Sequence, residues 1–151
     1  MPAFAVDTSC MIAAACAWHE HHAVAAAEIE RRLDNGERLA VPAPAIVEAY
    51  AVLTRLPAPH RLSPADAWAL IETNFVESAL VVALRGAVYT KLLRRLVKHT
   101  IAGGRTYDAV IGECARRAKA GTLLTFNRRH FDPPPAGVSL VDPSAGDGSE
   151  L

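Results

Sequence analysis

The stretch Ala3-Phe-Ala-Val-Asp-Thr-Ser9 decides the fold. Four apolar residues stop at an aspartate, and Thr8-Ser9 then open a small-residue apolar run from Cys10 to Trp18. A buried strand, a loop and a capped helix is the simplest parse of that order. Working outward, the same alternation recurs. His21 to Leu33 is Ala- and Glu-rich and helical, and Asn35-Gly36 closes it, as glycine commonly does. Leu39-Ala-Val-Pro42 reads as a second strand, with Pro44 near the opening of a helix from Ala45 to Arg55.

Beyond the break at Pro57-Ala-Pro59, Ser63 caps a helix whose first position is Pro64 and which runs to Phe75. Ala79 to Ala83 is a third strand, and Gly86 to His99 a basic amphipathic helix closed by Gly103-Gly104. Thr106 is expected to cap a helix running to Ala120-Gly121, after which Thr122 to Thr125 is a fourth strand and Val138 to Val141 a candidate fifth. Strands alternating with helical patterns imply one α/β domain with a mostly parallel sheet of four to five strands. In such sheets the active crevice lies beyond the carboxyl ends of the strands. Residues immediately after each strand therefore come under scrutiny.

Composition narrows the class. A chain of 151 residues suits a single domain that buries a core without staples. Three cysteines, with no C-x-x-C pair, argue against a disulfide framework or a zinc ribbon and for a reduced cytoplasm. The Cys10–Trp18 run falls short of the roughly 20 residues that span a bilayer, so no membrane role is expected. Met1 to Asp7 has no basic flank, which reads against a secretory signal. Sixteen basic residues balance sixteen acidic ones, yet eleven of the basic ones fall between Arg85 and Arg129, facing only Asp108 and Glu113. Clustered positive charge is what a polyanion-binding face needs, because neutralised phosphates release counterions. The other reading of this stretch is a solvated helical surface.

Four polar residues sit where the crevice rule points. Asp7 follows strand one, where it serves either as a helix cap or as a functional carboxylate. Glu48 lies early in the helix after strand two, either favoured by the helix dipole or recruited to a site; it shares a largely apolar stripe with Ala45, Ala51 and Val52. Asp108 is in line with Ile111, Gly112 and Ala115, and so points toward the core side near a helix start. An unpaired carboxylate there costs several kcal/mol unless a cation or donors compensate it. Glu113, Arg116, Arg117 and Lys119 fall on the other side of that helix. Asn127 follows strand four; an amide oxygen can bind a metal or its water, and asparagine is also an ordinary turn residue. Hard oxygens converging in one crevice suit Mg²⁺ or Mn²⁺, and a carboxylate-held ion suits phosphodiester hydrolysis.

In this order, Phe4-Ala-Val-Asp7-Thr-Ser9, Pro44-Ala-Ile-Val-Glu48, Thr106-Tyr-Asp108-Ala and Leu124-Thr-Phe-Asn127-Arg-Arg-His-Phe131 resemble the four signature blocks of PIN-domain ribonucleases. The short form is similar to the VapC-type toxins of VapBC toxin–antitoxin pairs, and the resemblance spans residues 3–142, nearly the whole chain. It implies a three-layer α/β/α fold with the nuclease domain over residues 1–142 and a polar, disordered tail over 143–151. It further implies metal-dependent cleavage of RNA, a cognate VapB-type antitoxin, and assembly as a homodimer or toxin–antitoxin hetero-oligomer. Carried over by position, Asp7, Glu48 and Asp108 form the Mg²⁺ or Mn²⁺ site, with Ser9 or Thr8 in support. Many members have aspartate where this chain has Asn127, which puts a second ion in doubt while leaving Asn127 able to place a water. Ser9, Arg105, Arg128 and Arg129 are candidate contacts to RNA.

Other features are weighed against that picture. Trp18-His-Glu-His-His22 invites a metal reading, but no fourth soft ligand is near in sequence, so a surface or capping role is expected. His130 stands either against RNA phosphate or in a solvated turn. Cys10 reads as a small packed hydrophobe rather than a nucleophile. No Walker or dinucleotide glycine motif occurs. A phosphoryl-handling α/β enzyme is the rival catalytic class, weakened because Ser9 stands where a second aspartate would be needed. A PIN-like interaction module with a weakened site, Asn127 being its first symptom, is the non-catalytic alternative. Leu62, Trp68, Leu70 and Ile71 give the Pro57–Phe75 segment more apolar surface than a peripheral hairpin usually exposes, so packing on the antitoxin or a second protomer is expected there.

Overall fold

The structure is a computed structural model and describes residues 1–145. Five strands form one sheet: β1 (Ala3–Val6), β2 (Arg38–Pro42), β3 (Leu80–Val82), β4 (Ala120–Leu124) and β5 (Ser139–Val141). All neighbours are parallel, in the order β3-β2-β1-β4-β5. Six helices flank it in α/β/α layers: α1 (Thr8–Ala15), α2 (His22–Asp34), α3 (Ala43–Arg55), α4 (Pro64–Phe75), α5 (Gly86–Lys98) and α6 (Arg105–Arg117). The central strands are covered on both faces, which is why they read as unbroken apolar runs rather than alternating ones. Phe4, Val6, Val41, Leu123 and Leu124 are fully buried and join Met11, Leu53, Ile71 and Ile111 in one core.

The chain winds from β1 to β2 and β3 on one side, then returns to β4 and β5 on the other. The crevice past the carboxyl ends of β1 and β4 is thus the switch point where such sheets bind ligands. Val6 pairs with Leu124, so Asp7 and Thr125 emerge side by side.

Several boundaries differ from those the sequence implied. Thr106 is no cap: Gly104 occupies that position without a side-chain bond, and α6 ends at Arg117, not Ala120-Gly121. Ala120 and Gly121 already belong to β4, after a left-handed Lys119 (φ 56°) turns the chain. Glu48 is the sixth residue of α3, because the helix begins at Ala43 directly from Pro42. It therefore stands in the second turn, where the dipole effect has largely faded.

Glu113 departs furthest from expectation. It is buried at 4% exposure rather than solvated, and accepts bonds from Arg116 Nη2 (2.6 Å), Arg116 Nε (3.0 Å) and Arg117 Nε (2.9 Å). Arg95 of α5 approaches it at 3.6 Å. Part of the positive charge between Arg85 and Arg129 is therefore answered within the fold. In the Pro57–Phe75 segment Ile71 is buried in the core, while Trp68 remains 42% exposed. Pro143–Ala145 form a 3₁₀ turn that contacts α2; the remainder of the expected tail, 146–151, lies outside the described residues. No helix among the described residues is long and apolar enough to cross a membrane.

Candidate active site

Asp7 is held at the switch point by three donors. Cys10 N–H (3.0 Å) and the Ser9 hydroxyl (2.6 Å) reach Oδ1, and the Thr125 hydroxyl reaches Oδ2 at 2.5 Å. The carboxylate is thus both the cap of α1 and a side chain of the crevice, so the two readings of Asp7 are one. Ser9 also accepts from Phe126 N–H at 3.1 Å, tying α1 to the strand β4 exit. Thr125 Oγ1 accepts from Asn127 N–H at 2.9 Å and so fixes the turn that carries Asn127. Burial pushes Asp7 up to about 6, the Ser9, Thr125 and Cys10 bonds oppose that, and the charge of Asp108 adds to it.

Asp7, Glu48, Asp108 and Asn127 line one pocket of about 510 Å³, with Thr8, Ser9, Ile12, Val52 and Phe126. Asp108 is half-buried, and its carboxyl lies above the usual range: burial is the main cause, Glu48 adds, and His130 and Arg105 oppose. His130 Nδ1 stands 3.4 Å from Asp108 Oδ2 on an otherwise exposed side chain. No lysine or arginine lines this pocket. Thr8 also lines this pocket, and its Oγ1 is buried without a hydrogen-bond partner. Among the described residues, no three His, Cys, Asp or Glu side chains stand close enough to ligate one ion as they are. The carboxylates are gathered into one pocket but not drawn into a ligand shell.

The connection from Trp18 to His22 also reaches this pocket. His19, Glu20 and His21 line one of its walls from an exposed connection, with His21 at the N-cap position of α2. Burial lowers the His19 pKa, with His21 as the next cause. The residues missed by sequence reasoning are Thr125 and Glu20. Thr125 had a usable signal, a hydroxyl one place beyond the fourth strand; Glu20 had none, because its approach depends on how the α1–α2 connection folds back.

The candidate RNA contacts separate into different places. The Ser9 hydroxyl is engaged by Asp7 and Phe126, which makes it a positioning group. Arg105 donates to the Asp132 carbonyl, and its Nε is buried without a partner. Arg128 and Arg129 are exposed on the 3₁₀ turn Arg128–His130 that follows β4. Cys10, Cys16 and Cys114 are free and buried, and burial pushes the Cys10 thiol far up, which fits packing and not nucleophilic work.

With this sheet and its acid-lined crevice in place, the PIN-domain family model matches residues 4–134, and the chain belongs to that family. Within it, the chain is similar to VapC-type proteins. It is 41% identical to Ribonuclease VapC40 of Mycobacterium tuberculosis over 125 residues, covering 83% of this chain and 87% of the relative. It is 35% identical to Ribonuclease VapC27 of the same species over 131 residues, covering 87% and 89%. Its fold matches the structure of VapBC-1 from nontypeable Haemophilus influenzae with a TM-score of 0.68 at 19% identity, over 94% of this chain and 98% of the other.

Proposed function

We propose that this chain is a divalent-metal-dependent endoribonuclease, the toxin of a toxin–antitoxin pair. The observation that carries the reading is the single pocket lined by Asp7, Glu48, Asp108 and Asn127 with no lysine or arginine in its wall. The ribonuclease relatives support the activity, and the VapBC match supports a VapB-type antitoxin as partner.

The residues fit an ion. All the donors are hard oxygens, of the kind Mg²⁺ and Mn²⁺ take. Burial is the main cause that destabilises Asp7 and Asp108 as anions, with Asp108 adding at Asp7 and Glu48 at Asp108, so a cation would relieve both. A bound Mg²⁺ or Mn²⁺ would supply Lewis acidity at the phosphate and a more acidic water. Around it, Ser9, Thr125 and Cys10 N–H hold Asp7 in one orientation. Glu48 and Asp108, which line the same pocket, would complete the carboxylates that hold the ion. Asn127, with its backbone fixed by Thr125, orients a water by its amide, while Arg128 and Arg129 meet the RNA backbone.

The test is cleavage of total RNA by the purified chain with Mg²⁺, with Mn²⁺ and with chelator. Cleavage that needs the ion and vanishes in Asp108→Ala is expected. Undiminished cutting by that variant, or in chelator, would refute the proposal.

A further inference from the structure

Five rings form a continuous row that ends at the acidic pocket. His60 stacks on Trp18 (centroids 4.0 Å, planes 21° apart), and Trp18 meets His19 at 5.8 Å. His19 meets His21 at 5.8 Å, and His21 stacks on Phe126 at 4.7 Å and 16°. Phe126 is next to Asn127, and His19, His21 and Phe126 all face the carboxylates across the pocket. Core packing does not account for this row, since Trp18 is 46% exposed and the His21 side chain 37%. Backbone bonds hold the connection still: His19 N–H to Cys16 O and His22 N–H to His19 O, both 3.0 Å, with His21 N–H on His19 Nδ1 at 3.0 Å. His22 turns away instead, its Nδ1 3.0 Å from Ala13 O.

We infer that this row is a nucleobase-stacking platform, on which unstacked bases of single-stranded RNA lie beside the phosphate presented to the carboxylates. The inference rests on the ribonuclease reading. One wall of the pocket is anionic and suits a phosphate only through a cation; the other is partly exposed and π-rich, two stacked pairs joined through tilts of 40° and 43° with Glu20 among them, and its rings suit a base. Single-stranded RNA is recognised largely through splayed bases stacked on aromatic and histidine rings, and such stacking tolerates any base.

Trp18 reports on its own platform. In a Trp68→Phe background it is the sole tryptophan, since the chain has two. A short oligoadenylate is titrated with Ca²⁺ present to bridge phosphate and carboxylates, and binding is followed independently by anisotropy of a label on the oligomer. Saturable quenching of Trp18 is expected with the oligomer and none with an abasic strand of equal length. Trp18→Leu should weaken binding roughly tenfold, Trp18→Phe should restore it, and His21→Ala should weaken it similarly. Binding with Trp18 silent, or equal binding of the abasic strand, overturns the platform and leaves the ribonuclease reading standing. Unchanged oligomer affinity with lost antitoxin binding in Trp18→Leu assigns the row to the protein partner and also overturns it. Absence of oligomer binding overturns the platform too, while the cleavage assay decides the nuclease question separately.

Discussion

Asp7 and Glu113 are both buried acids, at 2% and 4% exposure, and they have opposite environments. Glu113 is met by three arginines and is held down at about 2, chiefly by the Arg116 bonds. Asp7 is met by two hydroxyls and one amide, no cation, and is pushed up to about 6. The fold supplies counter-charge where an acid serves to join α5 to α6, and withholds it at the switch point. A buried acid left short of positive charge, in a pocket shared with three more acids, is where the proposed ion would sit.

The widest gap between the two acids should appear on replacement. Asp7→Asn should lower RNA cleavage by about 10³-fold, as loss of several kcal/mol of transition-state stabilisation implies, with metal-free thermal stability unchanged or raised. A cleavage assay beside a melting curve measures both. Glu113→Ala should do the reverse, losing on the order of 2 kcal/mol of stability with cleavage per folded molecule unchanged, as denaturant titration and assay at low temperature would show.

Acid sharpens the comparison. Since the Glu113 pKa is depressed from 4.5, its contribution is present above the unfolded value and drains away as pH falls from 4.5 toward 2. The stability difference between the native chain and Glu113→Ala should therefore shrink over that range, and a constant difference would break the account. Thr125→Val should cost roughly tenfold in cleavage by leaving Asp7 Oδ2 without its donor, a smaller loss than at Asp7 itself. Trp68→Ser, on the exposed face of α4, should change stability by less than about 0.5 kcal/mol while weakening assembly with antitoxin or a second protomer, as light scattering would record.

How much of this was legible depended on whether a residue's place is set locally. β1 and Asp7 were readable because an aspartate ends an apolar run, and α4 because Ser63 and Pro64 mark its start. Asp108 was readable from its alignment with Ile111, Gly112 and Ala115, all buried. Glu113 was misread because it is buried among Arg116 and Arg117 of its own helix with Arg95 of α5 nearby, a contact no helical wheel of α6 contains. Thr125 needed the β1–β4 register, which pairs strands more than a hundred residues apart. The His19–His21 wall was missed for a similar reason, since only the folded connection brings His21 onto Phe126. Glu48 was placed one turn too early because α3 starts from Pro42 itself.

The most direct test is to locate Mn²⁺ by its anomalous scattering in crystals of the free chain. The account predicts one ion in the crevice past β1 and β4, touching Asp7 and Asp108 with Glu48 turned toward it. Manganese bound elsewhere, with these three carboxylates untouched at saturating concentration, would contradict it.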